Sequence, residues 1–391
     1  MRASTERILV THVGSMPRPR EVVDLLARRE AGEPYDRAAF DAAMTGAVSE
    51  IVRKQLSAGV DVVSDGEQSK PSYATYVKDR LTGFSGDSPG MRGADLDDFP
   101  GFFRRLMSRR AGAIRLARPC CTGPIAVKDR APLEADLARL RAALVENGAA
   151  EGFMNAASPG VIAVFQPNRH YATQAGYLEA LAEAMRDEYR AIVDAGLLLQ
   201  VDCPDLAMGR HVTYKGEGDD DFVRHAAEQV EALNQALEGI PADRVRLHLC
   251  WGNYEGPHHR DIPLGKIFGV VMKAKAGALL FEAANPRHAH EWAVFAARKR
   301  EIPDDLILVP GVIQSTSNYV EHPELVAERL VRFADIVGRE RVMAGSDCGF
   351  STFAGDEVVD PEVCFAKLAA MAEGAAIASR RLWRRPGATG I

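Results

Sequence analysis

Leu247-His248-Leu249-Cys250-Trp251-Gly252-Asn253 joins an apolar run, Val245 to Leu249, to a loop rich in Gly, Asn and Pro. Residues two apart on a strand face the same way, so His248 and Cys250 point together at the strand's C-terminal end. An imidazole and a thiolate on one face make half of a zinc site. Two further strand-like runs downstream end in Glu282 (Ala278-Leu279-Leu280-Phe281-Glu282) and Cys348 (Val342-Met343-Ala344-Gly345-Ser346-Asp347-Cys348). His248, Cys250, Glu282 and Cys348 then form a four-ligand set for a thiophilic divalent metal. The alternative for the pair alone is plain packing, because cysteine is among the most buried residue types and fills space as a small hydrophobe. A third and a fourth ligand type, each ending its own strand, favour the metal.

Outward from this stretch the chain alternates short apolar, β-branched runs with turns and amphipathic helical stretches. Eight strand candidates stand out: Arg7 to Val13, Val60 to Ser64, Arg118 to Thr122, Leu197 to Asp202, Val245 to Cys250, Ala278 to Glu282, Leu306 to Val312 and Val342 to Ser346. Helical patterns follow most of them, as at Tyr177 to Ala195, Asp220 to Leu237, Arg287 to Arg300, Pro323 to Val337 and Pro361 to Arg380. Eight βα units predict an α/β protein, a (β/α)8 TIM barrel, in a single domain over residues 1–380.

Two stretches break the rhythm. Residues 82–111 are long and rich in Gly, Asp and Arg, and residues 151–169 carry Met, Pro, Asn and Gly without a clean period. Long excursions in a compact domain are functional loops, lids or subunit contacts, so loop insertions are expected over the barrel mouth and a homo-oligomer is consistent with them. Residues 381–391 contain Pro and Gly and read as a flexible tail.

Bulk properties narrow the function class. The chain has 391 residues, 47% hydrophobic and 26% charged, with a formal net charge of −6. That balance offers no electrostatic footprint for nucleic acid. Six cysteines in such a length do not make a disulfide scaffold. Residues 1–7 lack an apolar leader core, and no run approaches the roughly 18 apolar residues of a membrane helix. A cytoplasmic protein with reduced thiols and small-molecule partners is the expectation.

Active sites of TIM barrels sit at the C-terminal ends of the strands, and the polar residues gather there. His12, Gly14 and Ser15 follow the first strand, and Asp65, Gly66 and Glu67 the second. Asp202 and Cys203 end the fourth, His248, Cys250 and Asn253 the fifth, Glu282 and Asn285 the sixth, Gln314 the seventh, and Asp347 and Cys348 the eighth.

In that order these motifs resemble the cobalamin-independent methionine synthase superfamily, specifically its catalytic zinc barrel, a group that includes the epoxyalkane:coenzyme M transferases. His12-Val13-Gly14-Ser15 with Pro17 is similar to the family's opening turn near the thiol substrate. Val63-Ser64-Asp65-Gly66-Glu67 resembles the segment whose Glu binds the substrate amine, and Leu199-Gln200-Val201-Asp202 places Asp202 where the amine-binding Asp stands. His248, Cys250, Glu282 and Cys348 match the four zinc ligands. The resemblance implies a zinc-dependent methyltransferase or alkyltransferase acting in the manner of methionine biosynthesis. Its partners would be a small-molecule thiol and an alkyl, most simply methyl, donor. Glu67 and Asp202 would be catalytic and hold the amine, with Gly14, Ser15 and Asn253 also at the substrate. A thiol with a pKa of about 8.5 is mostly protonated at neutral pH, and coordination makes it a thiolate.

Departures from the pattern leave the donor open. Cys203 stands where the family has Glu, and Ile313-Gln314-Ser315-Thr316-Ser317 replaces a segment whose His moves a proton. Folate, methylcobamide and epoxide donors all remain candidates. A sulfonate-bearing thiol would call for cations such as Arg18 or Lys70, and a metal-free lyase of the uroporphyrinogen decarboxylase type would leave His248 and Cys250 structural. Asp347 is the expected hydrogen-bond partner of His248. His258-His259, Arg287, His288, Tyr73 and Tyr76 are further candidates for the pocket, each balanced by a surface or packing role.

Overall fold

The computed structural model describes residues 1–109 and 114–384. Eight parallel strands form the barrel: β1 (Leu9–Val10), β2 (Val62–Ser64), β5 (Glu151–Ala157), β6 (Leu198–Asp202), β7 (Val245–Leu249), β8 (Ala278–Phe281), β9 (Ile307–Ile313) and β10 (Met343–Ser346). Outside it, β3 (Phe84–Ser85) and β4 (Cys120–Cys121) make a small antiparallel pair. The ladder runs β1-β10-β9-β8-β7-β6-β5-β2. At the remaining seam Asp61 N–H donates to Val10 O at 2.8 Å, and Thr11 Oγ1 donates to Val62 O at 2.9 Å. Those bonds draw β1 and β2 together, and the sheet curls into a (β/α)8 barrel.

Side-chain alternation divides the strands into two faces. Leu198, Ala278, Leu280, Ile307, Val309 and Met343 pack in the lumen with Phe153. Leu199, Val201, Val245, Leu247, Leu249, Leu279 and Phe281 face the helical layer. The same alternation leaves Gln200, Asp202, Arg246 and His248 for the lumen. Arg246 is satisfied there by Thr11 Oγ1 and His12 O, with its guanidinium 3.9 Å from the centre of the Phe153 ring.

The helices start and stop on local signals. Asp36 accepts from Ala38 N–H and Ala39 N–H ahead of Arg37–Ser57, and Asp360 does the same ahead of Pro361–Trp383. Pro323–Val337 opens on a proline, capped by the His322 ring, and closes at Gly338 with φ 94°.

Three expectations need correcting. Arg118 to Thr122 is not a barrel strand, since Cys120 and Cys121 pair with Phe84 and Ser85. The third barrel strand is β5, inside the 151–169 stretch that looked unpatterned. Glu-Gly-Phe-Met-Asn-Ala-Ala lacks β-branched residues, and both its faces are buried, so no polar alternation marks it. Gly152 lets Leu144 pack close: a Cβ there would lie 2.6 Å from Leu144 Cδ1, so a larger residue would have to displace that side chain. The helix expected over Arg287 to Arg300 is only Trp292–Ala297. At the C-terminal end helix continues to Trp383, so part of the expected tail is ordered. Residues 385–391, and residues 110–111 of the first excursion, lie outside the described residues. Among the described residues, no helix is long and apolar enough to cross a membrane.

Candidate metal centre

β7 delivers the first two donors. His248 points into the lumen with its neighbours Leu247 and Leu249 outside, and Cys250 follows on the same side one step past the strand end. Cys348 arrives from the far side of the sheet, just after a register shift between Gly345 and Ser346 where β10 leaves β9; such bulges re-aim the residues beyond them. The ligand atoms of His248, Cys250 and Cys348 all lie within 4.8 Å of one another, and all three residues are buried.

Strand register supplies the support. Asp202 on β6 stands directly opposite His248 on β7, and its Oδ1 lies 3.1 Å from His248 Nδ1. Gln200 Nε2 donates to Asp202 Oδ1 at 3.0 Å and Asn155 Nδ2 to Oδ2 at 2.9 Å. With Nδ1 engaged, His248 Nε2 is buried and has no partner in the protein.

The charges are arranged as a cation site would need. Burial drives the His248 pKa down, but the Asp202 hydrogen bond and Cys250 beside it outweigh this and lift it to about 10. The Cys348 thiol donates to Cys250, which, despite burial and with help from His248, settles at about 5. Cys348 is correspondingly pushed well up, by that hydrogen bond first and by burial second. The cluster therefore carries protons where a divalent ion would replace them. A buried imidazole nitrogen with no partner, beside two sulfur donors, fits a zinc ion in donor type and number.

The other expected site residues are placed as follows. Glu282 is buried but stands outside the close three-residue group. Its Oε1 accepts from Trp251 N–H at 2.7 Å and its Oε2 from Asn285 Nδ2. Burial raises its pKa to about 8, and Cys250 adds to the rise. Asp347 is not the partner of His248. It accepts from the backbone N–H groups of Ala283, Ala284 and Asn285, each at 2.8 Å, and so pins the loop that carries Glu282 and Asn285. Asp202 holds His248 instead, because the β6–β7 register puts it there.

Glu67 lines the cavity above this cluster, with φ 56° following Gly66 at φ 64°. Burial lifts its pKa to about 7 against the pull of Lys70 and Arg18, and Asp202 adds to the lift. Its Oε2 is buried without a partner. Ser15 lines the cavity as well, but Gly14 does not. Gly14 has φ 141°, and a Cβ there would lie 2.2 Å from Asn155 Oδ1. Asn253 is a brace on the cavity wall: its Nδ2 donates to Gly349 O at 2.8 Å and its Oδ1 accepts from Ser315 Oγ at 2.9 Å.

The cavity has a volume of about 780 Å³. Tyr73, Phe165 and Phe353 form an aromatic wall with edge contacts of 5.5 and 5.9 Å from Tyr73. The 82–111 excursion reaches over the mouth as expected, contributing Met91, Arg92, Leu96, Phe103, Leu106 and Met107. Arg18 and Lys70 are not in the wall. Arg18 spends its donors on Glu67 O, Lys70 O and Ser351, and Lys70 Nζ donates to Asn155 O. Among the described residues, the arginines of the wall are Arg92, Arg115 and Arg118. Tyr76 turns away to Glu188, and His259 is an exposed partner of Asp98.

Two residues at this cavity escaped the sequence. His211 lines it, and Asp261 stands behind His211. The available signal was a histidine nine positions past Asp202, in the loop region after a barrel strand.

A model of the cobalamin-independent synthase catalytic domain matches residues 90–375. The methionine synthase of Saccharolobus solfataricus is 22% identical over 380 residues, covering 96% of each chain. The 2-hydroxypropyl-CoM lyase of Xanthobacter autotrophicus is 24% identical over 378 residues, covering 89% of this chain and 90% of the relative. A solved B12-independent methionine synthase from Shewanella sp. W3-18-1, in complex with selenomethionine, shares the fold with a TM-score of 0.72 at 18% identity over 96% of this chain and 99% of that one.

Proposed function

The chain belongs to the cobalamin-independent synthase catalytic-domain family, and from that premise we propose a zinc-dependent transferase that alkylates a small thiol, most simply by methyl transfer to a homocysteine-like substrate. The observation that carries this is the buried His248–Cys250–Cys348 group, whose ligand atoms lie within 4.8 Å of one another at the floor of a large cavity. His248, Cys250 and Cys348 would hold the ion, with Glu282 as the fourth ligand once its carboxylate turns from Trp251 N–H and Asn285. A bound zinc ion supplies a lowered thiol pKa and a fixed direction for the sulfur.

The chain's own residues do the rest. Asp202 keeps the hydrogen of His248 on Nδ1 and leaves Nε2 as a donor of electrons. Glu67 offers a buried carboxylate oxygen with no protein partner, suited to an ammonium group on the thiol. An ammonium beside Glu67 favours its ionised form over the protonated one that burial promotes. Tyr73, Phe165 and Phe353 exclude water from the sulfur and shape the entrance for an electrophile.

The test is zinc content after purification without added metal, followed by homocysteine consumption with methyltetrahydrofolate, methylcobamide or an epoxide as donor. Bound zinc and sulfur alkylation with any one donor are expected. Folded protein that stays metal-free when zinc is added overturns the assignment and favours a lyase with structural His248 and Cys250.

A further inference from the structure

One phenol in the cavity wall has an oxygen that the thiol site does not use. Tyr73 lines the cavity that holds His248 and Cys250, and it is half-buried. Its ring is held edge-on by two others, with centroids 5.5 Å from Phe165 and 5.9 Å from Phe353. The backbone beside it is held as well. Ser72 bridges to Phe353, Ala354 N–H donates to Pro71 O at 2.9 Å, and Thr75 N–H donates to Ser72 Oγ at 3.0 Å. Among the described residues the Tyr73 hydroxyl has no hydrogen-bond partner, and its oxygen is not one of those sealed from solvent. It opens into the cavity.

Other tyrosines of the interior behave differently. Tyr76 donates to Glu188 at 2.6 Å, Tyr177 to Gln166 O at 2.8 Å and Tyr189 to Ala157 O at 2.7 Å. Tyr254, in the same cavity wall, gives its hydroxyl to Asp95. A phenol taken out of water ordinarily finds such a partner, and a phenylalanine would complete the wall of Phe165 and Phe353 as well as a tyrosine does. The oxygen on Tyr73 is therefore placed for something that enters the cavity. The titratable groups that face it are Cys250, Cys348, Asp202 and Glu67. Burial first, and those four groups after it, push its pKa well above the ordinary value, so the hydroxyl keeps its hydrogen and acts as a donor.

We propose that Tyr73 is the proton donor of this cavity, giving its hydroxyl hydrogen to a basic atom as that atom leaves the alkyl carbon. The inference rests on the thiol-alkylation reading above. The thiol releases its proton to solvent on becoming a thiolate. The sulfur lone pair then forms the S–C bond while the bond from that carbon to the leaving atom X breaks, its electron pair staying on X. The Tyr73 O–H gives its proton to X, and the phenolate regains one from water as the product departs. The sum is R–SH + C–X → R–S–C + X–H. A phenol is a weak acid, with an ordinary pKa of about 10, and it yields its proton to an alkoxide, whose conjugate acid stands near the value of about 15.7 for water. The alkoxide of an opened epoxide needs this proton, whereas iodide leaves without one.

The experiment compares full-length zinc-loaded wild type with Tyr73→Phe, which removes one oxygen and keeps the ring. Homocysteine is alkylated with either propylene oxide or methyl iodide, the uncatalysed rate is subtracted, and zinc content and the homocysteine Kd by calorimetry are measured beside the kinetics. The expected result is unchanged zinc content and homocysteine Kd, a loss of about 100-fold or more in kcat with the epoxide, and no loss with methyl iodide. Equal rates of variant and wild type on both donors, or an equal loss on both, overturn the role of Tyr73 and leave thiol alkylation standing. Lost zinc or a raised homocysteine Kd in the variant marks a packing role and overturns it too, as does wild type that uses methyl iodide but not the epoxide. Wild type that alkylates homocysteine with neither donor overturns the thiol-alkylation reading and this inference with it.

Discussion

Asp202 Oδ1 lies 3.1 Å from His248 Nδ1, and this contact decides which imidazole nitrogen faces Cys250 and Cys348. The two residues are opposite one another in the β6–β7 ladder, so the contact is a property of strand register. Replacing such a supporting carboxylate typically costs about 10- to 100-fold in metal affinity. Asp202→Ala is expected to fold, to bind zinc with affinity reduced by about that factor, and to release it faster. Competition with a chromophoric chelator measures the change, and unaltered affinity would remove Asp202 from its supporting role.

The cysteines and Glu282 separate under the same assay. Cys250→Ala and Cys348→Ala each delete a sulfur from a group of three, and zinc content is expected to fall to background. Glu282→Gln keeps all three close donors and loses only a carboxylate held by Trp251 N–H and Asn285. It is expected to retain zinc with weaker affinity, by about tenfold or more. An affinity equal to wild type would make the site a three-ligand one.

Glu67 distinguishes thiols by their amine. A buried hydrogen bond to a charged group contributes about 1.5–3 kcal/mol, so Glu67→Gln is expected to raise the KM for homocysteine by about 10- to 100-fold. The same variant is expected to leave 3-mercaptopropionate, which has no amine, unaffected. Steady-state kinetics with the two thiols checks this, and equal losses for both would place the effect in packing.

The Asp261 network makes stability depend on pH. Burial opposes the charge on His258 and His288, but Asp261, with Glu291 for His288, outweighs it, and their pKa values rise to about 9 and about 10. Burial would raise Asp261, yet the two imidazoles hold it at about 2. Both histidines lie above their unfolded value of about 6.5, so their stabilisation is complete below about pH 6.5 and is lost as pH rises through 9 and 10. Asp261 lies below its unfolded value of about 3.9, so its contribution is present above about pH 4 and is lost as pH falls toward 2. Each tenfold change in proton affinity is worth about 1.4 kcal/mol. The unfolding free energy from urea titration is expected to be highest between about pH 4 and 6.5 and to fall by an amount on the order of a few kcal/mol toward pH 10. His288→Gln should flatten the alkaline decline, and an unchanged slope would exclude the network as its source.

The barrel was legible because hydrophobic period is a local property. Leu247, Leu249, Leu279 and Phe281 alternate with inward residues on strands whose neighbours in sequence suffice to mark them. β5 was not legible, since both of its faces are buried and Gly152, Asn155 and the alanines serve packing rather than period. Of the site, His248, Cys250 and Cys348 were readable from strand ends, where direction follows from counting by two.

The sequence by itself determined the βα rhythm, the inward pairing of His248 with Cys250, and a chemistry of nitrogen and sulfur donors at the strand ends. Only the tertiary structure decided that Asp202 rather than Asp347 holds His248 and that Glu282 turns to Trp251 N–H and Asn285. The reason is that side-chain direction along a strand is set by covalent geometry, whereas register between strands and the paths of loops are set by long-range packing.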